Sequence, residues 1–268
     1  MAGGALAWFW YFSPALSGNE VYFNAENKAS IETGWEEALR KVSETSTGSA
    51  DLNDETGTNK PPNLTEAFSG ALARTLGPRI LEEGGLQNVP ISDLEAAAAY
   101  LPTADAILPP TPAISETEFK ISEKNDTLSV KKYFESVFAV YKKTFFELKE
   151  DDLTILRRVF LSENYGDLSG LDAITAAFDK SIEDIKKIAV PRGREGFATR
   201  ELGYLIRSGQ IVEKFKNAKI DPMTTIILIP KRVEIIEEVN KFHKETGDAL
   251  KQSGIIFKEG EGAYELFY

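Results

Sequence analysis

The chain has 268 residues, of which 42% are hydrophobic and 10% aromatic, so it can bury a core, and wholesale disorder is excluded. Residues 1–118 carry 17 acidic and 6 basic side chains, which accounts for the whole net charge of −11, whereas residues 119–268 carry 25 of each. Because neither part offers a basic stripe for phosphate contacts, we expect no nucleic-acid partner. The absence of cysteine excludes disulfides, thiolate metal sites and cysteine nucleophiles.

The first 16 residues are mostly apolar or aromatic, and none is charged. A spanning helix needs about 20 apolar residues, and a cleaved signal peptide needs a basic region ahead of its apolar run. The first basic residue here is Lys28, so we interpret residues 1–16 as the truncated end of a transmembrane signal anchor that starts upstream. The aromatic belt at its outer interface would be formed by Trp8, Phe9, Trp10, Tyr11 and Phe12. A cleaved signal peptide and a segment packed on the core are the alternatives.

The flank that follows the apolar run is acidic, since Glu20 precedes any basic residue. Basic flanks favour the cytoplasmic side of a membrane, so we expect a single-pass anchor in the cell membrane with the bulk of the chain extracytoplasmic. Composition then divides the chain into five segments. They are the truncated anchor (1–16), an acidic stalk with one short helix and a disordered linker (17–62), short helices (63–105), a proline-rich connector (106–118) and a helical bundle domain (119–268).

Apolar residues recur at helical spacing in both halves of the chain. In the first half, Asn63 or Thr65 is expected to cap a helix that begins near residue 63. The second half predicts longer helices over 127–148, 151–160, 168–188, 194–218 and 222–253. On the last of these, the apolar stripe expected to face the core is Ile226, Ile229, Val233, Ile236 and Leu250. Without strand alternation or a βαβ rhythm, the fold class is all-α, an antiparallel helical bundle.

No motif for catalysis, cofactor binding or metal ligation is found in the sequence, so we expect no catalytic residue, no cofactor and no metal. His243 is the only histidine, and we expect it to be solvated or partly packed rather than a ligand. Arg192 and Arg194 precede a predicted helix within a glycine-containing turn, which makes them a weak candidate anion site. An ordinary helix–helix turn is the simpler interpretation of that stretch.

Several short motifs along the chain carry a resemblance. An apolar anchor and acidic stalk precede NLTEAFSGALARTL (63–76) and GGLQ (84–87), and VKKYFESVFAVYKK (130–143) follows. An AVP turn, a last long helix that begins Asp-Pro and the ending SGIIFKEGEGAYELF complete the set. Together they resemble uncharacterised membrane-anchored helical proteins of candidate phyla radiation bacteria of the Patescibacteria or Parcubacteria type. The resemblance implies an extracytoplasmic helical protein near surface or secretion machinery, and it transfers no functional residue.

These observations predict a non-catalytic binding or scaffold module of the cell envelope that contacts an envelope protein. One alternative is a helical bundle that binds a small ligand or hydrolyses a substrate with carboxylates that meet only in the fold; it requires a concave pocket with converging polar groups. A second alternative is a purely structural spacer.

Overall fold

The computed structural model describes residues 63–70 and 101–268. Of these residues 69% are helical and 2% lie in strands, so the predicted helical class is confirmed for them. Within these ranges, no helix combines the length and the apolar character needed to cross a bilayer. The predicted anchor (1–16), with its belt Trp8–Phe12, and the predicted stalk (17–62) lie outside the described residues.

The named elements are seven helices (α) and two strands (β) within 101–268, with short 3₁₀ helices at Glu116–Glu118 and Tyr165–Ser169. In chain order they are α1 (Ala104–Ile107), β1 (Ile121–Ser122), α2 (Thr127–Phe145), α3 (Asp152–Ser162), α4 (Gly170–Lys186), β2 (Val190–Pro191), α5 (Glu195–Phe215), α6 (Pro222–Gln252) and α7 (Tyr264–Phe267). A further helical stretch covers residues 64–70.

Helix α2 shows how the sequence pattern produces a buried face. The Asp126 carboxylate accepts hydrogen bonds from the Ser129 backbone N–H at 3.0 Å and the Ser129 hydroxyl at 2.8 Å, which satisfies an amide that the first turn leaves open. The Ser129 N–H bond is also the main reason that the pKa of Asp126 lies below its usual range. Residues three or four apart then share one side of the helix. The buried ones are Val130, Tyr133, Phe134, Val137, Phe138, Tyr141 and Phe145.

Helix α5 runs antiparallel to both α4 and α6. Asp172 at the start of α4 forms an ion pair of 2.8 Å with Lys216, which follows the end of α5. Across the other interface, Glu201 near the start of α5 bonds to His243 late in α6, and Ser208 bonds to Arg232 early in α6. Short connections between consecutive helices favour this antiparallel packing.

A short parallel pairing of β1 with β2 was not predicted from the sequence. Ile121 pairs with Val190 and Ser122 with Pro191. The backbone N–H of Val190 donates to the Lys120 carbonyl at 2.7 Å, and the N–H of Arg192 donates to the Ser122 carbonyl at 2.9 Å. Because these donors lie two residues apart, Pro191 sits between them, where its missing N–H costs no ladder bond.

An aromatic cluster centred on Phe134 holds the C-terminal segment against α2 and α5. The centre of the Phe134 ring lies 5.0 Å from that of Phe267 in α7, 4.9 Å from that of Phe197 in α5 and 6.1 Å from that of Phe257. All three contacts are edge-on. Residues 255–257 form no strand, and because Ile255 and Phe257 are buried, the segment docks on the helices.

The core-facing side of α6 differs from the predicted stripe. Ile226 and Val233, which were expected to be buried, are exposed. Leu228, Ile235 and Val239 are buried instead, together with Ile236 and Leu250 from the predicted set. The prediction was wrong at Ile226 and Val233 because both flanks of the buried face carry apolar residues, so hydrophobicity alone did not define its centre.

The structure divides into two compact units: Ala104–Lys219 with Thr224–Tyr268 belongs to one, and Ile220–Met223 belongs to the other with the described residues before Ala104. In the second unit Asn63 caps the helical stretch 64–70, as predicted, by accepting from the N–H groups of Thr65 at 3.0 Å and Glu66 at 3.2 Å. Asp221 adds a second cap, since its carboxylate accepts from the N–H groups of Leu64 at 3.0 Å and Thr65 at 3.1 Å.

We predict that two glycines are required by packing of the C-terminal segment. A Cβ atom on Gly247 would lie 2.7 Å from the Phe267 Cβ, and one on Gly262 would lie 2.5 Å from the Phe138 ring. Gly247→Ala and Gly262→Ala should each lower the free energy of unfolding by about 1–3 kcal/mol, as measured by urea denaturation.

The matched control is Gly203→Ala within α5, where an added Cβ meets nothing within 4 Å. It should raise the free energy of unfolding by about 0.5–1 kcal/mol, because alanine loses less backbone entropy than glycine in a helix. Equal effects of all three substitutions would contradict the proposed packing.

Candidate functional site

A cleft of about 380 Å³ lies between α5 and α6 and opens to solvent. Its walls mix cationic, aromatic, aliphatic and acidic side chains. Those used below are Arg200, Tyr204 and Arg207 of α5, and Lys231, Ile235 and Glu238 of α6. The volume lies in the range of small-ligand sites, whereas the walls are more polar than those of a usual small-ligand pocket.

The spacing of these residues explains why they line one surface. On α5, Arg200, Tyr204 and Arg207 are separated by four and three residues, which places them in one row along the helix. Lys231 and Glu238 of α6 are seven residues apart, with Ile235 between them, in the same kind of row. Since the two helices are antiparallel, the two rows form the opposite walls of one cleft.

Arg200 marks one end of the cleft. Its guanidinium carbon lies 4.3 Å from the Phe242 ring centre and 6.0 Å from that of Tyr204, and its Nη2 donates to the Tyr204 hydroxyl at 3.2 Å. Among the described residues, no carboxylate lies within ion-pair distance of Arg200. The aromatic rings therefore orient a positive charge that no acidic side chain in this part of the chain neutralises.

Arg207 and Lys231 mark the other end, where they share the carboxylate of Asp105 from α1. Arg207 forms an ion pair with Asp105 and donates to the Pro109 carbonyl at 3.2 Å, while Lys231 lies 3.8 Å from the Asp105 carboxylate and 2.9 Å from Glu234. The side chain of Asp105 is 67% exposed, compared with 15% for Arg207 and 19% for Lys231. Arg207 and Lys231 are thus mostly buried in the wall of the cleft, whereas the Asp105 carboxylate contacts them from the solvent side.

Beneath the cleft, a buried polar network joins three helices. The Tyr141 hydroxyl of α2 donates to one oxygen of Glu201, and the other oxygen of Glu201 lies 2.8 Å from His243 Nε2. The exposed fractions of the His243 and Glu201 side chains are 2% and 3%. The expectation that His243 is solvated or partly packed is therefore wrong, because a buried carboxylate partner stabilises the imidazole in the core.

A second buried pair joins Arg232 of α6 to Asp152 of α3. Arg232 lies eleven residues before His243 on α6. Arg232 Nε donates to the Asp152 carboxylate at 2.7 Å, and its Nη1 donates to the Ser208 hydroxyl at 3.2 Å. Its guanidinium also lies 5.6 Å from the Phe178 ring centre. The sequence analysis missed this pair, since neighbouring charges such as Asp151 and Asp152 look like ordinary helix-start residues. Asp151 does cap α3, whereas Asp152 binds Arg232 in the core, where its side chain is only 1% exposed.

Tyr133 places a second phenol near Glu201. Its hydroxyl is buried and has no hydrogen-bond partner among the described residues. Burial, with a smaller contribution from the negative charge of Glu201, raises the pKa of Tyr133 well above its usual value near 10. Burial likewise raises the pKa of Tyr141, whose hydroxyl also donates a hydrogen bond to Glu201. Both phenols therefore stay neutral at pH values where an exposed tyrosine ionises.

The two arginines predicted as a weak anion site do not line the cleft. Arg192 pairs with Glu123 at 2.6 Å, and Arg194 occupies the position before the first residue of α5 without a side-chain cap. Gly193 between them has φ +85°, a conformation that glycine adopts readily, as expected of a tight turn. The row Arg200, Tyr204, Arg207 is readable from its spacing, but nothing in the sequence pairs it with α6.

No family model, curated protein or solved structure matches the chain.

We predict opposite effects for two Tyr→Phe substitutions. Tyr141→Phe should lower the free energy of unfolding at pH 7 by about 1.5–3 kcal/mol, because the buried Glu201 carboxylate loses the hydrogen bond that the Tyr141 hydroxyl donates to it. Tyr133→Phe should be neutral or stabilising by up to about 1 kcal/mol, because it removes a buried hydroxyl that no described residue satisfies. Urea denaturation measures both.

The same variants carry a pH test. Above pH about 10 the unfolded chain releases tyrosine protons that the folded protein retains at Tyr133 and Tyr141, so stability must fall as pH rises. Each Tyr→Phe substitution should reduce that loss by about 1.4 kcal/mol per pH unit. Two variants that match the wild type between pH 10 and 11 would show that these phenols ionise in the folded protein.

Proposed function

We propose that this protein is a non-catalytic binding module of the bacterial cell envelope, whose helices form an antiparallel bundle presented outside the cytoplasmic membrane. The apolar segment 1–16 would tether it as a single-pass anchor, and the cleft between α5 and α6 would contact an envelope protein. The absence of charge in residues 1–16 and the acidic flank that follows support the tether and its orientation.

One observation carries the binding role. Arg200 presents a guanidinium that is stacked on Phe242 at the mouth of a cleft and that has no acidic partner in the described ranges. An arginine that is oriented by an aromatic ring is a recurrent anchor of protein–protein contacts.

The buried titratable groups support a non-catalytic role. Glu201 and His243 bond to each other inside the core, and Asp152 bonds to Arg232 there. A general acid or base must come within hydrogen-bond reach of its substrate, and these groups are enclosed by packed helices. Their geometry suits the positioning of helices.

The tether is tested by flotation of the full chain with neutral phosphatidylcholine vesicles. The wild type should float with the vesicles, because burial of apolar area drives insertion. A variant in which five aromatic residues are replaced by serine should remain at the bottom of the gradient. The replaced residues are Trp8, Phe9, Trp10, Tyr11 and Phe12.

A control variant removes apolar side chains that are exposed in the described part of the chain. Leu128→Ser with Leu161→Ser changes two exposed leucines, and this protein should float like the wild type. If the five-residue variant also floats, residues 1–16 are not the membrane attachment.

The binding role is tested by photo-crosslinking in native membranes. A benzoylphenylalanine at Gly203, which lines the cleft and has open space for a side chain, should crosslink to one envelope protein in stoichiometric amounts. The same group at exposed Leu161 on α3 should not.

The size of the cleft also suits a small ligand, which is the second candidate function. That function predicts no protein crosslink at position 203. Crosslinking at 203 and 161 to the same extent would contradict a specific role for the cleft.

A further inference from the structure

The walls of the α5–α6 cleft point to the chemistry of its partner. We infer that the cleft binds an extended acidic segment of a partner protein through two of its carboxylates, and that Asp105 occupies one of the two carboxylate positions in the unbound protein. The inference rests on the proposed function, since it names the partner chemistry of the same site.

The guanidinium of Arg200 is oriented so that it can bind a carboxylate. Phe242 covers one face of the guanidinium, and the Tyr204 hydroxyl accepts only one of its N–H groups. A guanidinium has five N–H donors in a planar fork that matches a carboxylate. The remaining donors of Arg200 face solvent at the cleft, where a carboxylate can bind in a bidentate manner.

The Arg207 end already binds the atoms that an acidic peptide would supply. Arg207 and Lys231 share the Asp105 carboxylate, and Arg207 also donates to the backbone carbonyl of Pro109. This end therefore binds one carboxylate, that of Asp105 in the helix α1, together with one backbone carbonyl that follows the helix. Because Asp105 is mostly exposed, its ion pairs are weak, and an acid from another chain can displace it.

The distance between the two ends limits the shape of the partner segment. Arg200 and Arg207 are seven residues apart, which is about 10 Å along a helix. A polyproline II segment has three residues per turn and rises 3.1 Å per residue, so two side chains three positions apart lie on one side and about 9 Å from each other. Tyr204 and Ile235 lie between the two ends and provide the aromatic and apolar surface on which prolines pack.

The acidic residue on the rim favours carboxylates over more highly charged anions. Glu238 lines the cleft and is exposed, and Glu234 bonds to Lys231 beside it. These charges repel a phosphate dianion or an anionic lipid surface more strongly than they repel single carboxylates spaced along a peptide. An acidic protein segment therefore fits the cleft better than either.

The experiment measures the anisotropy of a fluorescein-labelled peptide, Gly-Asp-Pro-Pro-Asp-Gly, with the full chain in detergent micelles. We expect it to bind at least about tenfold more tightly than Gly-Asn-Pro-Pro-Asn-Gly, since charged hydrogen bonds are lost with both acids. It should also bind more tightly than the flexible Gly-Asp-Gly-Gly-Asp-Gly, which pays more conformational entropy on ordering.

Variants separate the two carboxylate positions. Arg200→Met, which keeps an aliphatic chain on Phe242, and Arg207→Met should each weaken binding about five- to tenfold. Asp105→Asn and Glu238→Gln should strengthen it about two- to fivefold, because one removes the internal competitor and the other removes repulsion. Gain of affinity cannot result from misfolding, so these two variants keep the test valid if an arginine variant is unstable.

Arg192→Met is the matched control, because Arg192 is exposed, lies outside the cleft and should leave binding unchanged. The inference is overturned if the Asp and Asn peptides bind equally, or if Arg192→Met weakens binding and folded Arg200→Met does not. If either of these results is found and the protein still forms a crosslink at position 203, the proposed function stands and only the acidic nature of the partner is contradicted. No crosslink and no peptide binding would remove both.

Discussion

The arrangement of the helices depends on the need of α6 to satisfy two buried polar side chains. Arg232 and His243 are eleven residues apart, about three helical turns, so both point to one side of α6. A buried charge or imidazole without a partner costs several kcal/mol of free energy, as an order of magnitude. The favoured position of α6 is therefore the one in which Arg232 meets Asp152 and Ser208. In the same position His243 meets Glu201. A shift of α6 by one turn would break both of these pairs.

The outer surface follows from that alignment. Once Glu201 and Ser208 hold α6 against α5, the neighbouring row Arg200, Tyr204 and Arg207 must face Lys231, Ile235 and Glu238. The buried network and the cleft are therefore two sides of one interface: the inner side fixes the position of the helices, and the outer side presents cations. The proposed acidic partner would bind a surface whose geometry is set by residues that it does not contact.

The main helices could be predicted because their signals are local. Capping by Asn63, the start of α6 at Asp221-Pro222 and its end before Gly254 were visible in the sequence, and the structure confirms each of them. Apolar residues recur at helical spacing along α2 and α5, and the structure buries one face of each helix. Cap chemistry and periodicity involve residues within a few positions of each other, so a linear pattern contains them.

The features that the sequence did not predict depend on partners that are distant along the chain. His243 and Asp152 are buried only because Glu201 and Arg232 meet them in space, and β2 forms only because β1 lies alongside it. The cleft is the clearest case, since each of its rows is visible on its own helix and only packing brings the two together. The sequence by itself determined the helical class, the uneven charge and the main helix limits, because propensity, capping and periodicity are local. The tertiary structure alone decided which polar residues are buried and which rows form a site, because a hydrogen bond or ion pair needs both partners within about 3–4 Å.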